Sequence, residues 1–88
     1  MNVELVEFYP FEVSARRPRL LGYADVRVEK ILIRGVKLYE SRHGGYFISM
    51  PDYNPEKKRA LVEIEDRELL EKIRRLVVDY YKENIASL

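Results

Sequence analysis

Few side chains in this sequence can transfer protons, attack a bond or bind a metal ion. His43 is the only histidine of the 88 residues and there is no cysteine, so neither a thiolate nor a pair of imidazoles is available. His43 stands next to Gly44 and Gly45 in a segment typical of a hairpin turn, where we expect it to be exposed. Four carboxylates cluster before a predicted helix: Glu63, Glu65, Asp66 and Glu68. Acidic residues at a helix start are favoured by the helix dipole alone, so the sequence predicts no enzymatic activity, no bound metal ion and no cofactor.

Basic side chains are the stronger signal, and they indicate a binding function. One group follows a loop rich in proline and asparagine, and another lies along the predicted C-terminal helix. Lysine and arginine contact the phosphates of nucleic acids and thereby position a protein on them. We predict nucleic-acid contacts at seven positions: Lys57, Lys58, Arg59, Arg67, Lys72, Arg74 and Arg75. The helix residues have a second interpretation, a solvated face with acid–base pairs one turn apart, such as Glu71 with Arg75.

Aromatic residues on the predicted strands give a further candidate surface. Four of them lie close to basic residues in the sequence: Tyr23, Tyr39, Tyr46 and Phe47. Together with Arg27, Arg34 and Lys37 they are typical of a sheet surface on which nucleobases stack. Packing of neighbouring strands against each other explains the same residues, and both interpretations stay open.

Length and composition place the chain among small globular proteins. The 88 residues predict one domain spanning residues 1–88, with so thin a core that we expect a homodimer. Sixteen basic and fifteen acidic residues give a net charge of +1, so the protein does not bind nucleic acid by bulk charge. The start of the chain has no signal-peptide pattern, and no run of about 18 apolar residues occurs. We therefore expect a cytoplasmic protein that does not insert into membranes.

Short apolar runs separated by turn residues predict an antiparallel sheet. The first strand covers Val3–Val13 and bends at Pro10, which has no N–H to donate. After a turn at Arg16–Arg19, the stretch Leu20–Glu29 alternates in polarity. This alternation predicts a strand with one wet face, and Leu21 falls on that face.

Three more strands are expected further along the chain. In Ile31–Tyr39 the apolar positions change phase by one residue at Gly35, which predicts a β-bulge. The segment Ser41–Gly45 supplies the glycines that a hairpin turn needs and leads into the strand Tyr46–Met50. A last short strand is predicted at Ala60–Ile64.

One amphipathic helix is predicted at the end of the chain. Asp66 is a typical N-cap, and from Arg67 to about Ile85 apolar residues recur every three or four positions. The apolar stripe consists of Leu69, Leu70, Ile73, Leu76, Val77, Tyr80 and Tyr81. Strands followed by a helix predict an α+β fold, in which an antiparallel sheet of four to five strands precedes one C-terminal amphipathic helix packed on it.

The stretch from Val36 to Pro51 resembles the family of stage V sporulation protein G (SpoVG), the bacterial septation proteins. The family pattern Gly-x-Phe-Val/Ile-x-Met-Pro is matched at Gly45, Phe47, Ile48, Met50 and Pro51. The resemblance implies a small α+β homodimer that binds DNA or RNA as a regulator of septation and sporulation. It also implies a protein without enzymatic activity.

The predicted helix departs from that family's pattern. The family's helix opens with Thr-Arg-x-Lys, a segment linked to nucleic-acid binding. Here Leu70 occupies the arginine position and Lys72 is retained, while Arg74 and Arg75 lie one turn further on. The near-neutral charge and the missing arginine support a second hypothesis, a dimeric protein-interaction module in cell division or envelope assembly whose sheet edge recruits a partner strand.

Overall fold

The computed structural model describes residues 2–11, 17–52 and 54–86. These residues form four strands and one helix: β1 Val3–Pro10, β2 Arg19–Val28, β3 Ile31–Glu40, β4 Tyr46–Ser49 and α1 Arg67–Asn84. Each strand pairs antiparallel with the next, so the sheet order is β1-β2-β3-β4. The predicted α+β fold is confirmed.

The first strand ends where the sequence predicts its bend. Pro10 pairs with Gly22 as the last residue of β1, and the N–H of Phe11 still donates to the carbonyl of Leu21 at 2.9 Å. The strand does not continue through Phe11 as predicted, and the rest of the predicted continuation to Val13 lies outside the described residues, as does Arg16 of the following turn.

Strand β2 corrects one prediction about its two faces. Leu21 was expected on the wet face, but only 1% of it is exposed. The pairing with β3 shifts between Leu20 and Gly22, so that β2 contains one extra residue at this point. A bulge interrupts the alternation of faces, and Leu21 therefore joins the core instead of facing solvent.

The predicted bulge at Gly35 is confirmed. Ala24 pairs with Val36 and Val26 pairs with Ile33, so β3 has one residue more than β2 between these two pairs. Gly35 has a φ of 81°, a conformation that glycine adopts without steric cost. Its N–H, which the bulge frees from the ladder, donates to Asp25 Oδ1 at 3.2 Å.

The hairpin between β3 and β4 is also confirmed. The N–H of Ser41 donates to the carbonyl of Gly45 at 2.7 Å, and Gly44 has a φ of 85°. By contrast, the predicted strand at Ala60–Ile64 is wrong. Burial alternates along this segment as it would in a strand, because Ala60, Val62 and Ile64 pack against the core. The backbone of the segment nevertheless pairs with none of the four strands. Leu61 between them is 79% exposed.

The helix covers one face of the sheet. It begins after Asp66, whose carboxylate Oδ1 accepts from the N–H groups of Glu68 at 2.9 Å and Leu69 at 3.3 Å, and this confirms the predicted N-cap. The buried residues of α1 are Ile73, Val77, Val78 and Tyr81. They pack on a floor of alternating strand residues that includes Ala24, Val26, Val36 and Leu38. Among the described residues, no helix has the length and apolar character needed to cross a membrane.

Candidate nucleic-acid interface

Two of the predicted helix contacts, Arg74 and Arg75, are bound to the same carboxylate. Arg74 donates to Glu71 from Nε at 2.8 Å and from Nη2 at 2.7 Å, while Arg75 Nε lies 3.2 Å from Glu71 Oε1. Arg74 is half-buried, and its Nη1 also donates to the backbone carbonyl of Tyr46 at 3.3 Å. Arg74 therefore joins α1 to the outer edge of β4. The acid–base pair predicted between Glu71 and Arg75 is present.

The pKa values of this cluster follow from the same contacts. Hydrogen bonding from Arg74 lowers the pKa of the Glu71 carboxyl from 4.5 to about 2, with a smaller contribution from Arg75. The hydrogen bond to Glu71 in turn raises the pKa of Arg74. Because Glu71 stays ionised through the physiological range, it competes with phosphate for both arginines.

Replacing Glu71 with glutamine is expected to destabilise the protein above pH 4.5 and to have little effect near pH 2. A carboxyl whose pKa is lowered on folding stabilises the native state above its unfolded pKa, and this contribution is lost as the pH falls through the folded pKa. The difference in the free energy of unfolding between wild type and Glu71→Gln should therefore shrink across this window in urea denaturation. Glu68→Gln, which removes a carboxylate outside this cluster, is the matched control. If the difference in the free energy of unfolding stayed constant down to pH 2, the lowered pKa of Glu71 would be contradicted.

The remaining helix residues among the predicted contacts face a surface of mixed charge. Arg67 and Lys72 are exposed and line a shallow depression. Its other lining residues are Glu68, Glu71 and Arg75. Lys72 also lines a second depression, whose other members include two carboxylates, at Glu4 and Glu29. The helix surface therefore alternates in charge and does not form a continuous positive stripe.

The loop residues among the predicted contacts differ from Arg74 and Arg75 in that no carboxylate of the described residues pairs with them. Lys57, Lys58 and Arg59 are exposed, and none of their side chains forms an ion pair or hydrogen bond within residues 2–11, 17–52 and 54–86. A tight turn holds them in place, since the N–H of Asn54 donates to the carbonyl of Arg59 at 2.8 Å. Asn54 Oδ1 also accepts from the N–H groups of Glu56 at 3.0 Å and of Lys57 at 3.4 Å.

This turn places two of the loop cations beside aromatic residues of the sheet. Lys58 and Arg59 line a groove of about 700 Å³ whose walls also include Tyr39 of β3 and Phe47 of β4. Apolar side chains form much of its lining, among them Ile48, Met50, Val62 and Leu70, and Glu63 and Glu65 contribute carboxylates. Tyr39 and Phe47 are directly paired across the strands, with ring centroids 5.0 Å apart and planes inclined by 11°.

The aromatic residues predicted as one surface divide between the two faces of the sheet. Tyr39 and Phe47 lie on the face opposite the helix, as does Tyr23, whose ring meets Phe11 edge-on at 5.1 Å. Tyr46 lies on the helix side, where its ring is 6.1 Å from that of Tyr81 and Lys82 Nζ lies 5.3 Å above it. Cross-strand packing is thus present at Tyr39 and Phe47, and Phe47 remains 41% exposed.

His43 and the four clustered carboxylates, which are the candidate residues for catalysis and metal binding, lie apart from one another in role or position. His43 is exposed in the β3–β4 turn, as expected. The four clustered carboxylates have different positions. Asp66 caps the helix, Glu68 lies in its first turn, and Glu63 and Glu65 line the groove. Within the part of the chain that the structure describes, no three carboxylate or histidine side chains converge to hold a metal ion.

The chain matches no protein-family model, no curated protein and no solved structure. The resemblance to the SpoVG family therefore stays a hypothesis carried by the segment from Gly45 to Pro51. Four residues of that segment, Phe47, Ile48, Ser49 and Met50, line the groove. The matched motif and the candidate site thus coincide on the surface of β4.

Proposed function

We propose that this protein is a nucleic-acid-binding regulator similar to the SpoVG family, active as a homodimer and without enzymatic activity. The observation that carries the proposal is the exposed cationic turn Lys57–Arg59, whose side chains pair with none of the described residues, beside an exposed aromatic groove. A role in septation or sporulation-type regulation, and a cytoplasmic location, are proposed with it. They rest on the resemblance at Gly45–Pro51.

The loop is better suited to phosphate than the helix because its basic side chains form no ion pair with the residues that the structure describes. A phosphate approaching Lys57, Lys58 and Arg59 does not have to displace a carboxylate of the described residues. At Arg74 and Arg75 it must compete with Glu71, whose contacts are charge-assisted hydrogen bonds. Arg67, which is exposed, adds positive charge at the start of the helix.

A second copy of the chain makes this modest charge more effective. A two-fold dimer presents each cationic turn twice, so one nucleic acid that spans both turns gains two sets of contacts. The large exposed apolar side chains include Ile31 and Leu61, and they are available for burial between copies.

Neutralising the turn is expected to weaken nucleic-acid binding about tenfold at low salt. The variant is Lys57→Gln/Lys58→Gln/Arg59→Gln, and the measurement is fluorescence anisotropy on random-sequence DNA and RNA across a salt series. The slope of log affinity against log salt should also become shallower, by roughly 0.7–0.9 for each phosphate that the variant no longer neutralises.

The matched control removes the same charge elsewhere. Lys30→Gln/Arg42→Gln/Lys82→Gln replaces three exposed cations that do not line the groove and are not among the predicted contacts. This control should retain most of the affinity. Equal losses in both variants, or no binding by the wild-type protein even at low salt, would overturn the proposal.

A second candidate function, a protein-interaction module, is supported by the outer edge of β4. The carbonyl of Tyr46 is directed away from β3 towards Arg74, and because carbonyls alternate along a strand that of Ile48 is directed outward too. A partner strand that pairs with this edge would lie against the apolar side of the groove. This candidate predicts no salt-dependent nucleic-acid binding, so the same salt series separates the two.

A further inference from the structure

We propose that the groove between β4 and residues 58–65 binds single-stranded nucleic acid, with a base stacked on Phe47 and the adjoining phosphate held by Lys58 and Arg59. This inference rests on the proposed function and adds the strandedness of the ligand and the contact that selects it. It places the base-reading surface on the sheet edge and not on the helix.

The aromatic pair provides a stacking platform. Tyr39 and Phe47 are parallel to within 11°, and 41% of Phe47 remains exposed at the groove. A nucleobase is flat and apolar on its faces, so it extends a stack of this kind regardless of its sequence. The same contact is closed to a base inside a duplex, because both of its faces are already covered by its neighbours.

The groove has the size for an extruded base. Its volume of about 700 Å³ lies within the range of ~300–1,000 Å³ typical of clefts that hold a small organic ligand. Ile48 and Leu70 in its lining provide apolar surface against which the faces of such a ligand can pack.

The order of charges along the groove fits a nucleotide better than a simple polyanion. Residues 58–65 begin with the cations Lys58 and Arg59 and continue to the carboxylates Glu63 and Glu65, all of which line the groove. The cations attract phosphate, whereas the carboxylates repel it and accept hydrogen bonds from the amino groups of bases. A ligand with one anionic end and one end rich in donors is complementary to this arrangement.

The test compares one sequence in single-stranded and duplex form. A labelled cytosine- and adenine-rich DNA oligonucleotide and its duplex are titrated by fluorescence anisotropy with wild type, Phe47→Leu and Phe11→Leu. Phe11 is the matched control, since it is 46% exposed and contacts an aromatic ring but does not line the groove. Both substitutions keep an apolar side chain at an exposed position, and circular dichroism verifies that each variant is folded.

The wild type is expected to bind the single strand at least tenfold more tightly than the duplex. Phe47→Leu should weaken single-strand affinity about tenfold, the equivalent of ~1.4 kcal/mol of stacking, without changing the salt slope or the duplex affinity. Phe11→Leu should bind like wild type. The salt slope is the readout that distinguishes a loss of stacking from a loss of phosphate binding.

A spectroscopic experiment reports on the stack directly. The chain contains no tryptophan, so Phe47→Trp introduces a single indole fluorophore at the groove. Its emission should be quenched by the single-stranded oligonucleotide and not by the duplex.

The possible failures are distinguishable. Equal binding of both forms, with Phe47→Leu unchanged and Phe47→Trp unquenched, overturns the stacking inference and leaves the proposed nucleic-acid function in place. Absence of binding to either form at low salt overturns both, and the groove is then assigned to the protein-interaction function.

Discussion

Replacing Arg19 with methionine is expected to lower the free energy of unfolding by about 3 kcal/mol, because it leaves the carboxylate of Glu40 buried with a weakened set of partners. Glu40 is only 8% exposed. Arg19 Nε and Nη2 both lie 2.6 Å from its Oε1, while Arg17 Nη2 is 3.4 Å from Oε2 and more exposed. Arg19 and Glu40 are direct partners across β2 and β3, so the methionine side chain fills the space but returns no charge.

Removing both members of this pair should cost much less. The double variant Arg19→Met/Glu40→Leu leaves no buried charge unpaired, because Arg17, the other partner of Glu40, is exposed to solvent. We expect the double variant within about 1 kcal/mol of wild type. Urea denaturation of the two single variants and the double variant measures the coupling. A double variant as unstable as Arg19→Met would show that the buried charge is not the cause.

An exposed ion pair of similar geometry provides the control. Arg27 Nη1 lies 2.7 Å from Glu4 Oε1 across β1 and β2, but both side chains are largely exposed. Arg27→Met should lower the free energy of unfolding by less than about 1 kcal/mol, because water screens and replaces this contact. The comparison isolates burial, since the two pairs have nearly the same separation.

Replacing Gly22 with alanine is the second substitution with a large expected effect, a decrease of about 3 kcal/mol in the free energy of unfolding. A Cβ at position 22 would lie 2.6 Å from the backbone oxygen of Tyr9 and 2.7 Å from Cζ of Phe8. Backbone oxygen cannot rotate away, and the Phe8 ring is itself buried in the core. Relief therefore requires β1 to move away from β2 at the pair between Pro10 and Gly22.

Gly45 serves as the matched control for this substitution. A Cβ there would have as its nearest contact Ser41 Oγ at 3.5 Å, an ordinary van der Waals distance. Gly45→Ala should change the free energy of unfolding by no more than about 0.5 kcal/mol in urea denaturation. If Gly22→Ala is equally mild, the close approach of β1 and β2 is not maintained in solution.

Residue types alone predict only part of the candidate site. Lys57, Lys58 and Arg59, which follow the loop that contains Pro51 and Pro55, are exposed in the structure, as contact with phosphate requires. In the structure, two of the other predicted contacts, Arg74 and Arg75, share the carboxylate of Glu71. The spacing of Glu71 and Arg75 indicates that pair, but it does not indicate that Arg74 also reaches the carbonyl of Tyr46.

The groove was not predictable as a site. Phe47 and Lys58 are separated by a loop, and their proximity depends on how the turn at 54–59 folds back beside β4. Pro51 and Pro55 are the signal in the sequence that the chain reverses there. They do not specify which strand the cations will face.

By itself the sequence determined the features whose causes are local. The N-cap at Asp66, the bulge at Gly35 and the hairpin at Ser41–Gly45 each depend on a few adjacent residues, and each occurs where those residues predict it. Only the tertiary structure decided what depends on distant neighbours. Ala60, Val62 and Ile64 pack against the core although their segment pairs with no strand. The fold of the chain also places Lys58 and Arg59 beside Phe47, while Glu71 binds Arg74.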